Sequence, residues 1–487
     1  MRKNYLLYAF NMNLRCISVA VLIPIAVALY YKQYSSIMPF VITSVIALVL
    51  SIICKIFEYP KLENLNDIKK SECLFILSMT WIITGILFGV PYLFFGIPPI
   101  DALFESVSGI TTTGASINAN MEYPMAVLFW RSFTQWLGGM GIIVLFIAVL
   151  PQFAVAGRQM FFAESPGPTE EKFTPRVRST ASALWKVYAV LTFVEIILLK
   201  LAGMPMFDSV CNSLSTLSAG GFCPNGESIM GYNSLVITCI VMLFIFLSGT
   251  NFNLQYKAIT KCDITALFKS EEFRAYLSIF LGISALVGIS LFLNDHYCLK
   301  DSIIHSMYQV ISIMSSTGSV SVDYCDWCFT TKVLLFIAFF TGGCASSASG
   351  GIKISRWVLI AKIMGNEVRK IIHPSAVLNV KMDNNIIAKD ILQQTVIFAA
   401  FYFTLFAISV IVISILEQNV VIGITGSVTS IGNIGPAFGN VIGPMGGFET
   451  LHPLSKLILI IDMLVGRLEL IPFLVLLERD FWSFSKG

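Results

Sequence analysis

Charge is what this sequence has least of. Only 13% of its 487 residues are Asp, Glu, Lys or Arg, against 56% hydrophobic, and the mean hydropathy is +0.79. A soluble domain carries about a quarter of its residues charged. The shortage excludes a soluble globular protein and assigns the many long apolar runs to a bilayer. Histidine is scarce too. His296, His305, His373 and His452 are dispersed, with no H-E-x-x-H and no D-D-x-x-D, which argues against a membrane enzyme acting on lipid or isoprenoid. The eleven cysteines show no zinc spacing. Most lie in apolar runs, as Cys54, Cys73, Cys239 and Cys344 do, and read as buried free thiols. Cys325 and Cys328 form a C-x-x-C, but in an external loop without the βαβ setting of a redox motif. No G-x-G-x-x-G follows a strand and no Walker A pattern occurs, so no organic cofactor is expected on this chain. Nor does anything mark nucleic acid as a partner. A cleavage site is missing after the apolar stretch Cys16 to Tyr31, which therefore reads as a retained helix.

What is present is a repeat. Two spans, near residues 16–31 and 36–57, form an N-terminal extension over 1–70. A unit then appears four times: a long apolar span, a shorter amphipathic stretch, a Gly/Ser/Thr-rich segment, and a second span. The units are placed at 71–155, 179–262, 263–365 and 366–487, with a polar loop at 156–178. The fold expected is an all-α polytopic membrane protein with ten spans, its four repeats in pseudo-fourfold array around a central pore. Basic residues orient it. Lys55, Lys61, Lys69, Lys70, Arg158, Lys172, Lys257, Lys261, Lys353, Arg356, Arg369 and Lys381 fall in loops on one side, while Lys32 and Lys300 are nearly alone on the other. Both termini are then cytoplasmic, and the glycine segments lie in the external half.

Those segments read Thr111-Thr112-Thr113-Gly114, Leu217-Ser218-Ala219-Gly220-Gly221, Ser315-Ser316-Thr317-Gly318 and Ile431-Gly432-Asn433-Ile434-Gly435. Each follows a stretch long enough for a half-membrane helix: 99–110, 206–216, 300–314 and 420–429. Irregular backbone at membrane depth is tolerated only where it is buried in protein or lines an aqueous cavity. Any one segment alone would read as a helix-packing contact or an external turn. Four at matching positions point instead to carbonyl oxygens replacing the water shell of a cation. Glycine allows the backbone to aim carbonyls inward. The preceding helices direct their partially negative C-terminal ends at the same place. No carboxylate lies in the segments, which favours a monovalent ion.

The run Trp130-Arg131-Ser132-Phe133-Thr134-Gln135-Trp136-Leu137-Gly138-Gly139-Met140-Gly141, with Ala163-Glu164-Ser165-Pro166-Gly167-Pro168, Gly350-Gly351-Ile352-Lys353, Gly432-Asn433-Ile434-Gly435-Pro436 and Gly466-Arg467-Leu468-Glu469, resembles the Trk/Ktr/HKT superfamily. Within it, the two opening spans resemble the TrkH/TrkG pore-forming subunits of potassium uptake systems. The resemblance implies filter residues Thr112, Thr113, Gly114, Ser218, Ala219, Gly220, Ser316, Thr317, Gly318, Asn433, Ile434 and Gly435. It implies potassium held at Thr113, Ala219, Thr317 and Ile434, with Gly114, Gly220, Gly318 and Gly435 as the filter glycines. Ala219 departs from the usual Thr or Ser, and Ser319 from the usual aromatic. A homodimer in the bacterial inner membrane lipid is implied as well, each protomer with its own pore.

The third unit's second span is broken by residues 342–351, too rich in glycine for a lipid-facing helix, since each glycine costs about 1 kcal/mol relative to alanine. The resemblance makes 342–353 an intramembrane gate loop with Gly342, Gly343, Ser346, Ser347, Gly350, Gly351, Lys353 and Arg467 as gate residues. A charge in mid-span, as at Arg467, should face a cavity or partner. The alternative for Arg467 is a pair with Glu469 or Asp462. Arg131 and Gln135, one turn apart, read as structural; Glu195 and Lys200 read as snorkelling near a span end. The loop from Arg158 to Lys186 is, by resemblance, the dock for a TrkA-like cytosolic ring that binds nucleotides. The competing mechanism is potassium symport with protons or sodium, which requires buried acids in mid-membrane; Glu105 and Asp462 are the candidates.

Overall fold

The computed structural model describes residues 3–57, 70–118, 122–141, 177–261, 263, 265–376, 378–469 and 473. Of the loop placed at 156–178, residues 156–176, with the Ala163–Pro168 motif and the basic residues Arg158 and Lys172, lie outside the described residues, as do Lys61 and Lys69.

Among the described residues the fold is all-α, with one two-residue hairpin pairing Lys381–Met382 (β1) and Asn385–Ile386 (β2). Helices α1 (Lys3–Ala20) and α2 (Ile23–Tyr30) form the first span, antiparallel to α3 (Ile37–Phe57). This span begins well before Cys16. The polar residues ahead of Cys16 are used internally: Ser51 of α3 donates to the side-chain oxygen of Asn11 at 2.7 Å, and Arg15 donates to Ser51.

Four sets of helices follow. The first is α4 (Lys70–Leu93), α5 (Pro99–Ile110) and α6 (Met125–Gly139). The second is α7 (Val177–Leu201), α8 (Met206–Leu217) and α9 (Leu235–Ser248), with short α10 (Phe252–Lys261) and α11 (Thr265–Lys269) after it. The third is α12 (Glu271–Leu293), α13 (Leu299–Met314) and α14 (Phe329–Phe336), then α15 (Ile354–Ile372). The fourth is α16 (Lys389–Glu417), α17 (Val420–Ile431) and α18 (Pro453–Arg467). Among the described residues six segments are long and apolar enough to cross a membrane, or seven when the pair Leu235–Ser248 and Phe252–Thr260, bent by 103°, counts as one. The ten spans expected exceed that number. The closing helices of the sets are shorter, 14 residues in α9 and 15 in α6 and α18, and the third is interrupted after Phe340.

The short central helices α5, α8, α13 and α17 sit where local chemistry starts a helix. Pro99 opens α5, Pro205 caps α8, and the Asn419 side chain accepts the amides of Val421 and Ile422 to cap α17. Their inner turns are buried almost without exception, so four half-length helices converge on the middle of the molecule.

Candidate ion pathway

Each central helix ends in the same backbone sequence. One helical residue follows (Thr111, Ser218, Ser315, Gly432), then a left-handed one: Thr112 (φ 57°), Ala219 (φ 55°), Ser316 (φ 59°) or Asn433 (φ 53°). Two residues later comes a left-handed glycine, Gly114 (φ 80°), Gly221 (φ 77°), Gly318 (φ 71°) or Gly435 (φ 96°). Between them the amides of Thr113, Gly220, Thr317 and Ile434 each donate to the carbonyl five residues back, at 2.8–2.9 Å. A non-glycine residue held left-handed costs about 1–3 kcal/mol and persists only where its surroundings impose it. Here the strain recurs four times at one level.

This corrects the register of the second segment. The conformational counterpart of Gly114 is Gly221, not Gly220, and the counterpart of Thr113, Thr317 and Ile434 is Gly220, not Ala219. Ala219 matches Thr112, Ser316 and Asn433, and Phe222 occupies the place of Ala115 and Ser319. The Gly220-Gly221 doublet concealed the shift, because either glycine satisfied the motif.

The four segments close a ring. A Cβ on Gly114 would lie 2.0 Å from the carbonyl oxygen of Gly220, one on Gly221 1.9 Å from that of Thr317, one on Gly318 2.0 Å from that of Ile434, and one on Gly435 2.4 Å from that of Thr113. Each segment thus leans on the next and the fourth on the first. Only glycine permits this approach. The ring separates two cavities. One, about 70 Å³, is lined by Gly114, Gly221, Gly318 and Pro436. The other, about 80 Å³, is lined by Ser346, Ser347, Gly350, Gly351, Lys353 and Arg467.

Behind the ring, Glu105 accepts from Arg131 Nε at 2.6 Å and from the Ile117 amide at 2.9 Å, with both charged side chains buried. Asp101 pairs with Lys456 Nζ at 2.6 Å, joining α5 to α18. Glu105 is therefore a buttress of the first segment, satisfied by an arginine. Asn433 donates to Thr113 Oγ1 at 3.0 Å and to the Met463 carbonyl at 2.9 Å, tying the fourth segment to the first and to α18.

Below the ring the chain from Thr341 to Lys353 runs without helix between Ile337–Phe340 and α15. It is held at both ends and in the middle. Cys344 and Ala348 donate to the carbonyls of Gly249 and Ser248, and the Ala345 amide donates to Glu272 Oε1 at 2.6 Å. The Gly350 amide donates to Ser316 Oγ at 2.5 Å. Lys353 is bonded to the Ser349 carbonyl. Arg467 Nη1 donates to the Ala348 carbonyl at 2.8 Å, and Nη2 to those of Gly138 and Gly139 at 2.7 and 3.0 Å. Its expected alternatives are engaged elsewhere: Glu469 with Arg356, Asp462 with Ser409.

Two further acids are buried. Glu195 does not snorkel: it is fully buried, because α7 turns that face toward Thr216 of α8, whereas Lys200 on the same helix is exposed. Asp462 is buried with one oxygen bonded to Ser409 and the other without a partner. The sulfurs of Cys325 and Cys328 are free; Cys325 lies against the Gly439 carbonyl. Among the described residues no His/Cys/Asp/Glu group is arranged to hold a metal.

The chain matches the TrkH family, described as cation transport protein, over residues 49–293 and 292–481. It is 33% identical over 475 residues to the Trk system potassium uptake protein TrkH of Vibrio parahaemolyticus, and 32% identical over 471 residues to that of Salmonella typhimurium. In both cases 96% of each chain is covered. The Escherichia coli TrkG is 33% identical, again over 96% of each. The crystal structure of the potassium transporter TrkH from Vibrio parahaemolyticus superposes with a TM-score of 0.88 at 30% identity, covering 99% of this chain and 100% of that one.

Proposed function

Because the chain belongs to the TrkH family of cation transport proteins, a family of transporters and not enzymes, we propose that it is the pore-forming subunit of a potassium uptake system in a bacterial inner membrane, with both termini cytoplasmic. The observation that carries this reading is the closed ring of four left-handed segments, with a cavity on either side.

A potassium ion entering from outside meets the carbonyls of Thr113, Gly220, Thr317 and Ile434, brought together without any carboxylate in the segments. Neutral dipoles in sufficient number replace the hydration shell, yet bind weakly enough for the ion to leave. The C-terminal ends of α5, α8, α13 and α17 add a favourable potential. Beneath, the 341–353 loop and the Arg467 guanidinium occupy the exit. A fixed cation there opposes passage of another, so opening requires Arg467 and the loop to separate. Residues 342–353 are the gate in this reading, and 71–155, 179–262, 263–365 and 366–487 are the four pore repeats. A cytosolic nucleotide-binding ring of the TrkA kind docks on the 156–178 loop and drives that separation. The protein works as a homodimer with one pore in each protomer.

Buried acids support a second reading, symport of potassium with protons or sodium: Glu195 is fully buried and Asp462 keeps one oxygen unpartnered. Rubidium flux into liposomes containing the purified chain, with and without Gly114→Ser, separates the two. Downhill flux without a proton or sodium gradient, admitting sodium after the substitution, supports the filter. Flux that appears only with an imposed gradient of either coupling ion supports symport. Absence of flux under every gradient, even with the nucleotide-loaded ring added, overturns both.

A further inference from the structure

One side chain makes the ring unequal. Gln135, in α6 of the first set, is completely buried and reaches into the second segment with three hydrogen bonds. Its Oε1 accepts from Ser215 Oγ at 2.7 Å and from the Phe222 amide at 3.1 Å. These two donors assign the amide's orientation, so Nε2 must point the other way, and it donates to the Gly220 carbonyl at 2.6 Å. Gly220 is the second segment's contribution to the ring. Among the described residues no side chain donates to the carbonyls of Thr113, Thr317 or Ile434.

The first and third segments manage without such a visitor. There the equivalent helix serines act directly: Ser108 Oγ donates to the Ala115 carbonyl and Ser312 Oγ to the Ser319 carbonyl, both at 2.6 Å. Hydroxyls stand beside the ring too, Thr111 with Thr113 at 2.8 Å and Ser315 with Thr317 at 2.7 Å. In the second segment the position has no side chain, and Gln135 fills the place. A Cβ on Gly220 would lie 2.4 Å from Gln135 Cδ. The glycine doublet is thus explained twice over: Gly221 admits the Thr317 carbonyl, and Gly220 admits Gln135.

We propose that Gln135 is a specificity-determining positioning residue: by donating to the Gly220 carbonyl it fixes the second segment at ring distance and weakens one of the four ion-facing dipoles. The proposal rests on reading the ring as the ion filter. A carbonyl already bonded to N–H has less negative potential to offer an ion, and it cannot swing inward to follow a smaller one. The ring thereby resists contraction around sodium, which would need all four oxygens to close in. The acceptor-side pair of bonds, from Ser215 and Phe222, keeps the amide from rotating away.

The test is the ratio of potassium to sodium flux in liposomes for Gln135→Glu, Gln135→Met, Ser215→Ala and the double variant Gln135→Met/Ser215→Ala. Gln135→Glu keeps the acceptor for Ser215 and Phe222 but sets an oxygen against the Gly220 carbonyl. Both Gln135 variants are expected to lower the ratio by about fivefold or more, the worth of one net hydrogen bond. Ser215→Ala should lower it less, and should add nothing in the Gln135→Met background. An unchanged ratio in Gln135 variants that still carry potassium overturns the proposal and leaves the filter reading intact. If the Gln135 variants do not insert, an unchanged ratio in Ser215→Ala overturns it alone. A wild-type chain that carries no potassium with its regulator present removes the filter reading itself.

Discussion

Arg467 donates to the carbonyl oxygen of Ala348 at 2.8 Å, so the last helix of the fourth set holds the broken span of the third. The same guanidinium binds the final carbonyls of α6. One cation therefore joins three of the four sets directly beneath the ring. Replacing Arg467 by Ala removes both the positive potential and the clamp. Unstimulated rubidium flux should rise about tenfold to a hundredfold, as expected for a charged hydrogen bond of roughly 1.5–3 kcal/mol. Arg467→Lys should give an intermediate rise, because a lysine keeps the charge but cannot span two acceptors in a fixed fork. Equal flux in wild type and Arg467→Ala would remove Arg467 from the gate.

The 341–353 loop also touches the ring from below. Gly350 donates its amide to Ser316 Oγ at 2.5 Å, and Ser316 is the left-handed residue of the third segment. Although the motif suggests an ion ligand, its hydroxyl is committed to the 341–353 loop. Ser316→Ala leaves a buried N–H without an acceptor, a cost of about 1–3 kcal/mol that falls on the closed loop. Resting flux should rise in Ser316→Ala, and Ser316→Thr, which keeps the hydroxyl, should restore it. A change of ion preference without a change in resting flux would return Ser316 to the ligands.

Much of this was legible in the amino-acid order, for physical reasons. Four glycine segments after four half-length stretches cannot all be lipid-facing, and the break at 342–351 cannot be a stable helix. What escaped was set by tertiary contact. The register of Gly220-Gly221 depends on which glycine meets the Thr317 carbonyl, and two identical neighbours carry no such information. Gln135 looked structural because its partners, Ser215, Gly220 and Phe222, lie 80 or more residues away. Glu195 looked like a snorkelling acid because the depth of α7 is set by its packing on α8, not by its own composition.

The register of the second segment makes a prediction of its own. Gly221→Ala would drive a Cβ to 1.9 Å from the Thr317 carbonyl at φ 77°, against backbone that cannot yield. For Gly220→Ala the three atoms nearest the new Cβ all belong to the Gln135 side chain, and Gly220 is not left-handed. Gly221→Ala should therefore abolish selective potassium flux, and no change at Gln135 should recover it. Flux lost in Gly220→Ala should return in part when Gln135 is shortened to Ala. The reverse pattern would put the second segment back in its original register.

Glu105 and Arg131 form a buried ion pair behind the first segment, 2.6 Å apart with side chains 0% and 1% exposed. The Ile117 amide and Ser116 also depend on that carboxylate, so the pair supports the chain just outside the ring. Removing one member of a buried pair strands the other, at about 3–5 kcal/mol. Glu105→Gln keeps an acceptor for Ile117 but removes the negative charge beside the Arg131 guanidinium, which also donates to Ser116 Oγ at 2.8 Å and lies over the rings of Phe222 and Tyr123, 4.1 and 5.7 Å from its central carbon. Thermal unfolding in detergent should fall by several degrees in Glu105→Gln. The double variant Glu105→Gln/Arg131→Met, which removes both charges, should unfold closer to wild type than Glu105→Gln does. A double variant as unstable as the sum of its singles would mean that the two residues act independently, and that the first segment is supported by packing and not by the pair.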